Sequence, residues 1–433
     1  MPLDTPGLES LYGALLRILE SNGDGMSLAE LWKRSRSGAA ERWLGAFAAF
    51  IVLLFFADMA TAPWRPLLPV YVERELLRKP LFTSNLVSLQ TVFGAIAGLV
   101  GGGLANRLGR KRVMLIGLTG LPLVGLAFML HSTLALVAIW VYFGFVNGLF
   151  IVGRQTYMMA IVPASYLGMA TALQYMGSTL GNALGNALAG PLVDSRGFAA
   201  LGLAIIVIAV VVLLAGTLAM PEMQPLSSAK AEAPLGSYAS TLRRWPVLAL
   251  GVLRFVPTCY WGTATLLVPL LIYRAAHVPS SAAYYGTASL LFASGCQLVA
   301  GRVCDRFGRR WVVVVLTSLI VAISLATAAF SRSLVGLYVC GILGAGIAWS
   351  MSVTIPGLVT DVSPQGEHAR TLGFSHVAWS GGMLLGTQVA GWLVNVNGGL
   401  PFLIMGLLNL TSVATAIALG RWTARGAYSI SAR

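Results

Sequence analysis

From residue 44 onward the chain is a succession of twelve apolar blocks joined by short polar loops. Each block is long enough to cross a hydrocarbon core of about 30 Å. No water reaches backbone N–H and C=O groups in such a medium, so each block must satisfy its own polar groups as a helix. The blocks lie near 44–72, 83–106, 113–131, 134–161, 169–193 and 199–219, then 246–273, 282–304, 311–330, 334–360, 370–393 and 399–421. Between the sixth and seventh runs a long polar interruption, 220–245, with Pro221, Glu222, Pro225, Lys230, Glu232 and Pro234. The expected organisation is a tail 1–43, a six-helix bundle 44–219, a central loop 220–245, a second six-helix bundle 246–421 and a tail 422–433.

Composition agrees. Apolar residues make up 57% of the chain and charged residues only 10%, whereas a soluble domain carries about 25% charged residues. A soluble enzyme is thereby excluded. The formal charge of +14 sits between apolar blocks rather than on one polar face, which argues for membrane topology and against nucleic acid. Cys259, Cys296, Cys304 and Cys340 lie within or at the ends of apolar blocks without C-x-x-C spacing. They read as packing residues, and neither a metal site, a disulfide framework nor a cofactor is expected.

Lysine and arginine set the orientation, because positively charged loops resist translocation. With the N-terminus inside, 20 of the 29 basic residues fall on cytoplasmic segments and 6 on outside loops, and Arg65, Arg154 and Arg254 lie within blocks. Both termini are therefore expected to be cytoplasmic, in a cell inner membrane. The tail has no basic region followed by an apolar one, so no cleavable signal peptide is expected. Its Leu8, Leu11, Tyr12, Leu15, Leu16 and Leu19 make one helical face, and Ser27 with Glu30 forms a capping box, so amphipathic helices at the lipid surface are expected.

The two halves repeat. Gly102-Gly103-Leu104-Ala105-Asn106-Arg107-Leu108-Gly109-Arg110-Lys111 matches Gly301-Arg302-Val303-Cys304-Asp305-Arg306-Phe307-Gly308-Arg309-Arg310 at an offset of 199. Gly181, Gly185 and Gly190 recur as Gly382, Gly386 and Gly391, and Pro69 and Pro269 close the first block of each half. With these paired loops the chain resembles the major facilitator superfamily, whose G-x-L-a-D-r-x-G-r-k signature follows the second helix and often recurs after the eighth. The resemblance covers residues 44 to 421. It implies two six-helix bundles around a central cavity and alternating access by rocking of one half on the other. It also implies a conformational latch at Gly102, Asn106, Arg107, Gly109 and Arg110, and at Gly301, Asp305, Arg306, Gly308 and Arg309. Asn106 departs from the signature's acid, whereas Asp305 keeps it.

In the fifth block Gly177, Gly181 and Gly185 form a small-residue stripe that lets another helix approach closely. Beside it Gln174, Ser178, Asn182 and Asn186 recur every four residues as a polar stripe, either interhelical glue or cavity lining. The family's antiporter pattern resembles this run, with Asn182 and Asn186 where that pattern has proline and glycine. Gly144 stands where the family's drug exporters carry an arginine in the fourth helix, and Asn147 and Gly148 fill later positions of that pattern.

An ionisable group inside the bilayer costs at least about 2.5 kcal/mol, so each one is a candidate functional group. Asp58 is the one acid in the interior of a block. It reads as a proton carrier, a ligand for a cation, or the partner of Arg65 or Arg154. Arg154 and Arg254 suit a carboxylate or phosphate, or reach toward cytoplasmic water. His376 is the one histidine within a block, and Tyr260, Trp261, Trp349 and Trp379 are candidate walls of a solute pocket, with Trp64 expected at the membrane interface. No G-x-x-x-x-G-K-[ST] loop is present, so energy is expected from gradients. The expected function is secondary transport of a small organic solute by a monomer, as proton-coupled efflux of an amphipathic compound. An organic-anion transporter, a non-transporting sensor of the same fold and, more remotely, a membrane enzyme are the alternatives.

Overall fold

The computed structural model describes residues 40–163, 166–222, 243–364 and 367–424, and helices account for nearly all of them. The amphipathic helices expected before residue 40, most of the central loop and the end of the C-terminal tail lie outside the described residues. Span 1 consists of Ala40–Thr61 and Trp64–Arg74, span 2 is Pro80–Leu108, span 3 is Arg110–Leu118 with Gly120–Ala127, and span 4 is Thr133–Ile161. One helical run, Leu167–Ala219, contains spans 5 and 6, divided at Gly197 where φ is 80°. Spans 7 to 12 are Trp245–Ala276, Pro279–Phe307, Arg309–Ala329, Leu334–Val362, His368–Leu393 and Leu400–Ala424.

Proline explains the interruption in span 1. Pro63 and Pro66 have no N–H to give the carbonyls of Met59 and Ala62, and Arg65 N instead reaches Ala62 O at 3.3 Å. Pro69 and Pro269 do not close their helices as expected: both are interior, and the helices run on to Arg74 and Ala276. Neighbouring helices re-satisfy the bundle around such positions.

The internal repeat is present in the backbone. The turns after spans 1 and 7 each hold a left-handed residue, Leu77 at φ 51° and His277 at φ 60°, and spans 2 and 8 both begin with proline. Gly109 at φ 94° and Gly308 at φ 80° occupy the equivalent tight links between spans 2 and 3 and between 8 and 9, a conformation that favours glycine. Ser132 and Ser333 cap spans 4 and 10 by accepting from Ala135 N and Gly336 N.

Packing repeats as well. Gly181 and Gly185 of span 5 lie directly on the carbonyls of Phe55 and Met59 in span 1, and Gly382 and Gly386 of span 11 lie on those of Phe255 and Cys259 in span 7. One turn further on, Gly190 meets Ser280 of span 8 and Gly391 meets Ser84 of span 2, across the boundary between the halves. The same end carries a bidentate ion pair, with Arg274 Nε and Nη2 at 2.7 and 2.6 Å from the Glu73 carboxylate. It also carries Gln388 Nε2 bonded to Asn85 Oδ1 and Ser88 Oγ, and Thr287 Oγ1 bonded to Ala183 O. At the opposite end, which carries the repeated loops, the described contacts stay within one half: Lys111 with Thr217, Arg244 with Glu367, and Arg309 with Asp361. The described side-chain contacts between the halves thus gather at the end opposite the repeated loops.

Two expectations follow. Gly181→Leu would drive a side chain into the Phe55 carbonyl, so folded yield and Tm should fall sharply, an overpacking cost of about 1–3 kcal/mol or more. Gly98→Leu, at a glycine with nothing within 4 Å, should be tolerated. Normal thermal stability of the Gly181 variant would contradict the packing. Glu73→Gln should weaken the closed end, raising the labelling of a cysteine placed at Asn85 by an impermeant maleimide several-fold. Labelling equal to the parent would mean that the ion pair does not hold the halves together.

Candidate functional site: a charged central cavity

Span 1 brings Asp58 to the cavity one turn before its proline break. Its Oδ2 lies 3.7 Å from Arg154 Nη1 of span 4, an ion pair longer than a hydrogen bond. The Ser178 hydroxyl of span 5 lies beside the Asp58 carboxyl, close enough to interact with it, although neither it nor Oδ2 makes a hydrogen bond of ordinary length. Arg65 lies within electrostatic reach of both charges and its side chain is exposed at the protein surface. Its guanidinium lies 5.6 Å from the Trp64 ring centre, and that of Arg154 lies 5.5 Å from the Phe150 ring centre. Asp58, Arg65 and Arg154 therefore form one cluster with a formal charge of +1.

A second cluster belongs to the other half. Arg254 Nη1 donates to Ser352 Oγ of span 10 at 3.0 Å, its Nε is buried and unpartnered, and His376 of span 11 is in electrostatic reach. Trp261 and Trp349 meet edge to face with ring centres 6.3 Å apart. Trp379 and Asn147 are half-buried on spans 11 and 4.

Two aromatic residues lie elsewhere than expected. Tyr260 is fully buried in the core of the second half, against Gly344 and beside Thr327, because adjacent helical residues point about 100° apart and Trp261 takes the cavity face. Trp64 does not face outward from the bundle; it is 9% exposed and packs edge to face on Trp140 and Phe143.

The polar stripe of span 5 divides by depth. Gln174 and Ser178 are buried near the cavity side, Asn182 turns back to its own helix with Nδ2 on Ser178 O at 2.7 Å, and Asn186 lies against Gly286 of span 8. Gln174 Oε1 and Asn186 Oδ1 have no partner, so the stripe is not saturated glue.

In the repeated loops, Lys111 Nζ donates to Thr217 O at 2.8 Å and Arg310 Nη2 to Thr423 O at 3.0 Å. Each thereby binds the carbonyl end of the last helix of its half. Arg309 Nη1 reaches Gly357 O and, at 2.9 Å, Asp361 Oδ1 in span 10. Ala160 stands in span 4 where Asp361 stands in span 10, so Arg110 has no equivalent acid. Gly102 and Gly301 are partly accessible within spans 2 and 8, and Arg107 and Arg306 are exposed, with Arg306 over the Phe307 ring. The side chains of Asn106 and Asp305 lie outside the described residues. Sequence reasoning missed Asp361, Ser352 and the Glu73–Arg274 pair. For the last, the signal available was Arg74 and Arg274 at equivalent positions of the two halves.

A family model described as Major Facilitator Superfamily matches residues 48–356 and 258–427. The tetracycline resistance protein, class H, of Pasteurella multocida is 27% identical over 145 residues, 33% of this chain and 36% of that protein. The class C protein of Escherichia coli is 32% identical over 152 residues, 34% of this chain and 38% of that protein. The matched stretch thus spans just over a third of the length of each of these relatives. Among solved structures, a bacterial homolog of the human lysosomal transporter Spinster, in an inward-facing and unoccupied conformation, superposes with a TM-score of 0.73 at 13% identity, covering 89% of this chain and 98% of that one. A POT family transporter in complex with 5-aminolevulinic acid gives 0.71 at 11% identity, covering 88% and 96%. These likenesses fix the fold, and the extent of the family match fixes the lineage: this chain is a multi-pass membrane protein and belongs to the Major Facilitator Superfamily of transporters.

Proposed function

We propose that the protein exports an amphipathic organic compound across the cell inner membrane in exchange for protons, as a monomer with both termini cytoplasmic. The observation that carries this reading is Asp58: among the described residues it is the one acid in the interior of a span, and it lies largely enclosed between Arg154 and Ser178 with its Oδ2 in no hydrogen bond of ordinary length. Desolvation favours the protonated carboxyl and Arg154 favours the carboxylate, so a change in their separation or hydration switches proton affinity. Alternating access supplies such a change by rocking the two bundles, 44–219 and 246–421. The Arg309–Asp361 contact is read as a latch of the second bundle at the loop end. That two relatives are tetracycline resistance proteins supports efflux of an amphipathic compound.

Organic-anion transport is the second reading, favoured by three arginines against one acid in the spans. The two readings differ in the sign of coupling. A cation that binds Asp58 competes with the proton, which gives antiport. An anion that binds Arg154 competes with the Asp58 carboxylate, so it favours protonation and gives co-transport, by linkage.

The test uses purified protein in liposomes with an imposed pH gradient. Asp58→Asn should abolish uphill transport while leaving exchange at equilibrium and ligand binding partly intact. Uphill transport equal to the parent would remove Asp58 as proton carrier. A parallel collapse of yield, thermal stability and every transport mode would make it a structural partner of Arg154 instead. Absence of any flux in the parent, with ligand binding preserved, would favour the sensor reading.

A further inference from the structure

Of the nine described helices long and apolar enough to cross a membrane, span 7 is the most enclosed by protein. A few residues of its middle nevertheless stay partly exposed. Arg254, Trp261 and Thr265 are of this kind, and their spacing of seven and four residues makes them one stripe. Arg254 is prepared differently from Arg154. It forms no ion pair with a carboxylate of any described residue, its guanidinium is fixed at one end by Ser352 at 3.0 Å, and its Nε is buried without a partner. A guanidinium in that condition has its desolvation uncompensated, which an oxyanion relieves with parallel hydrogen bonds. Spans 7 and 10, which carry Arg254 and Ser352, also carry the Trp261–Trp349 pair, and His376 approaches from span 11.

We infer that this wall is a subsite for the planar acidic part of the transported compound, an aromatic or conjugated carboxylate. The carboxylate sits on Arg254 with His376 as an additional donor, and the ring lies on the Trp261–Trp349 pair. The inference names the substrate class for the organic-anion reading of transport and rests on that reading. It does not depend on Asp58 carrying the proton.

The full chain, purified in detergent, is titrated calorimetrically with naphthoate, naphthamide and naphthylmethylammonium, which share a ring and differ in charge. The expected result is about tenfold tighter binding of naphthoate than of naphthamide, as a charge-assisted bidentate contact gives, and no binding preference for the cation. Arg254→Gln should abolish the preference, Arg254→Lys should keep part of it, and Trp261→Leu should weaken acid and amide alike. Ser352→Ala leaves every charge in place and should reduce the preference several-fold, which keeps the test available if the Arg254 variants do not fold. Equal affinity for acid and amide in the parent, or an undiminished preference in Arg254→Gln or Ser352→Ala, would overturn the subsite. Asp58→Asn separates the two proposals: lost uphill transport with the naphthoate preference intact supports both, whereas retained uphill transport with that preference intact sinks the proton reading alone.

Discussion

Glycine seated on a neighbouring helix's carbonyl is the contact on which the rest of this structure depends. Gly181 and Gly185 bring span 5 onto Phe55 and Met59, and Gly382 and Gly386 bring span 11 onto Phe255 and Cys259. Lipid tails are as apolar as the side chains, so close van der Waals approach does in the membrane what hydrophobic burial does in water. Met59 is one of the carbonyls that Pro63 deprives of a helical donor, so the packing contact and the break in span 1 coincide. Asp58 precedes that point by one residue, and the glycine contacts hold spans 5 and 11 against the helices that carry Asp58 and Arg254.

The third glycine of each triplet works across the halves. Gly190 on Ser280 and Gly391 on Ser84 close one end of the cavity, aided by Glu73 with Arg274 and by Gln388 with Asn85 and Ser88. Two related surfaces doing the same work on either side of a pseudo-twofold axis are what the proposed tilting of the halves would turn on. The loop end is asymmetric in chemistry, since Arg309 has Asp361 and the first half has Ala160 in the matching place. Charge in the cavity is asymmetric too: an acid with two arginines on one side, and a lone guanidinium with aromatic neighbours on the other.

The fold was legible because the hydrocarbon core imposes block length and because the repeat of glycines and arginines survives at an offset near 200. Rotation of each helix about its axis was not. In a soluble helix the apolar face identifies the core, but here lipid and protein interior are both apolar, so the pattern does not say which side faces which. Tyr260 and Trp261 illustrate this: both were candidates for the cavity, and one of them belongs to the core. Trp64 was read by the tendency of tryptophan to sit at interfaces, and burial against Trp140 overrides it. Asp58 and the three arginines were legible one by one because charge in a membrane needs a reason. Their division into two clusters needed the arrangement of spans 1, 4, 7 and 11.

The central claim is that protonation at Asp58 biases the rocking of the halves, and it is tested most directly by distance measurement between spin labels at Leu108 and Phe307. These exposed residues occupy the two repeated loops. In liposomes, the distance distribution of the otherwise native protein is predicted to shift between acidic and alkaline pH, and that of Asp58→Asn to stay fixed at one limit. A distribution that moves with pH equally in both proteins, or in neither, would contradict the account.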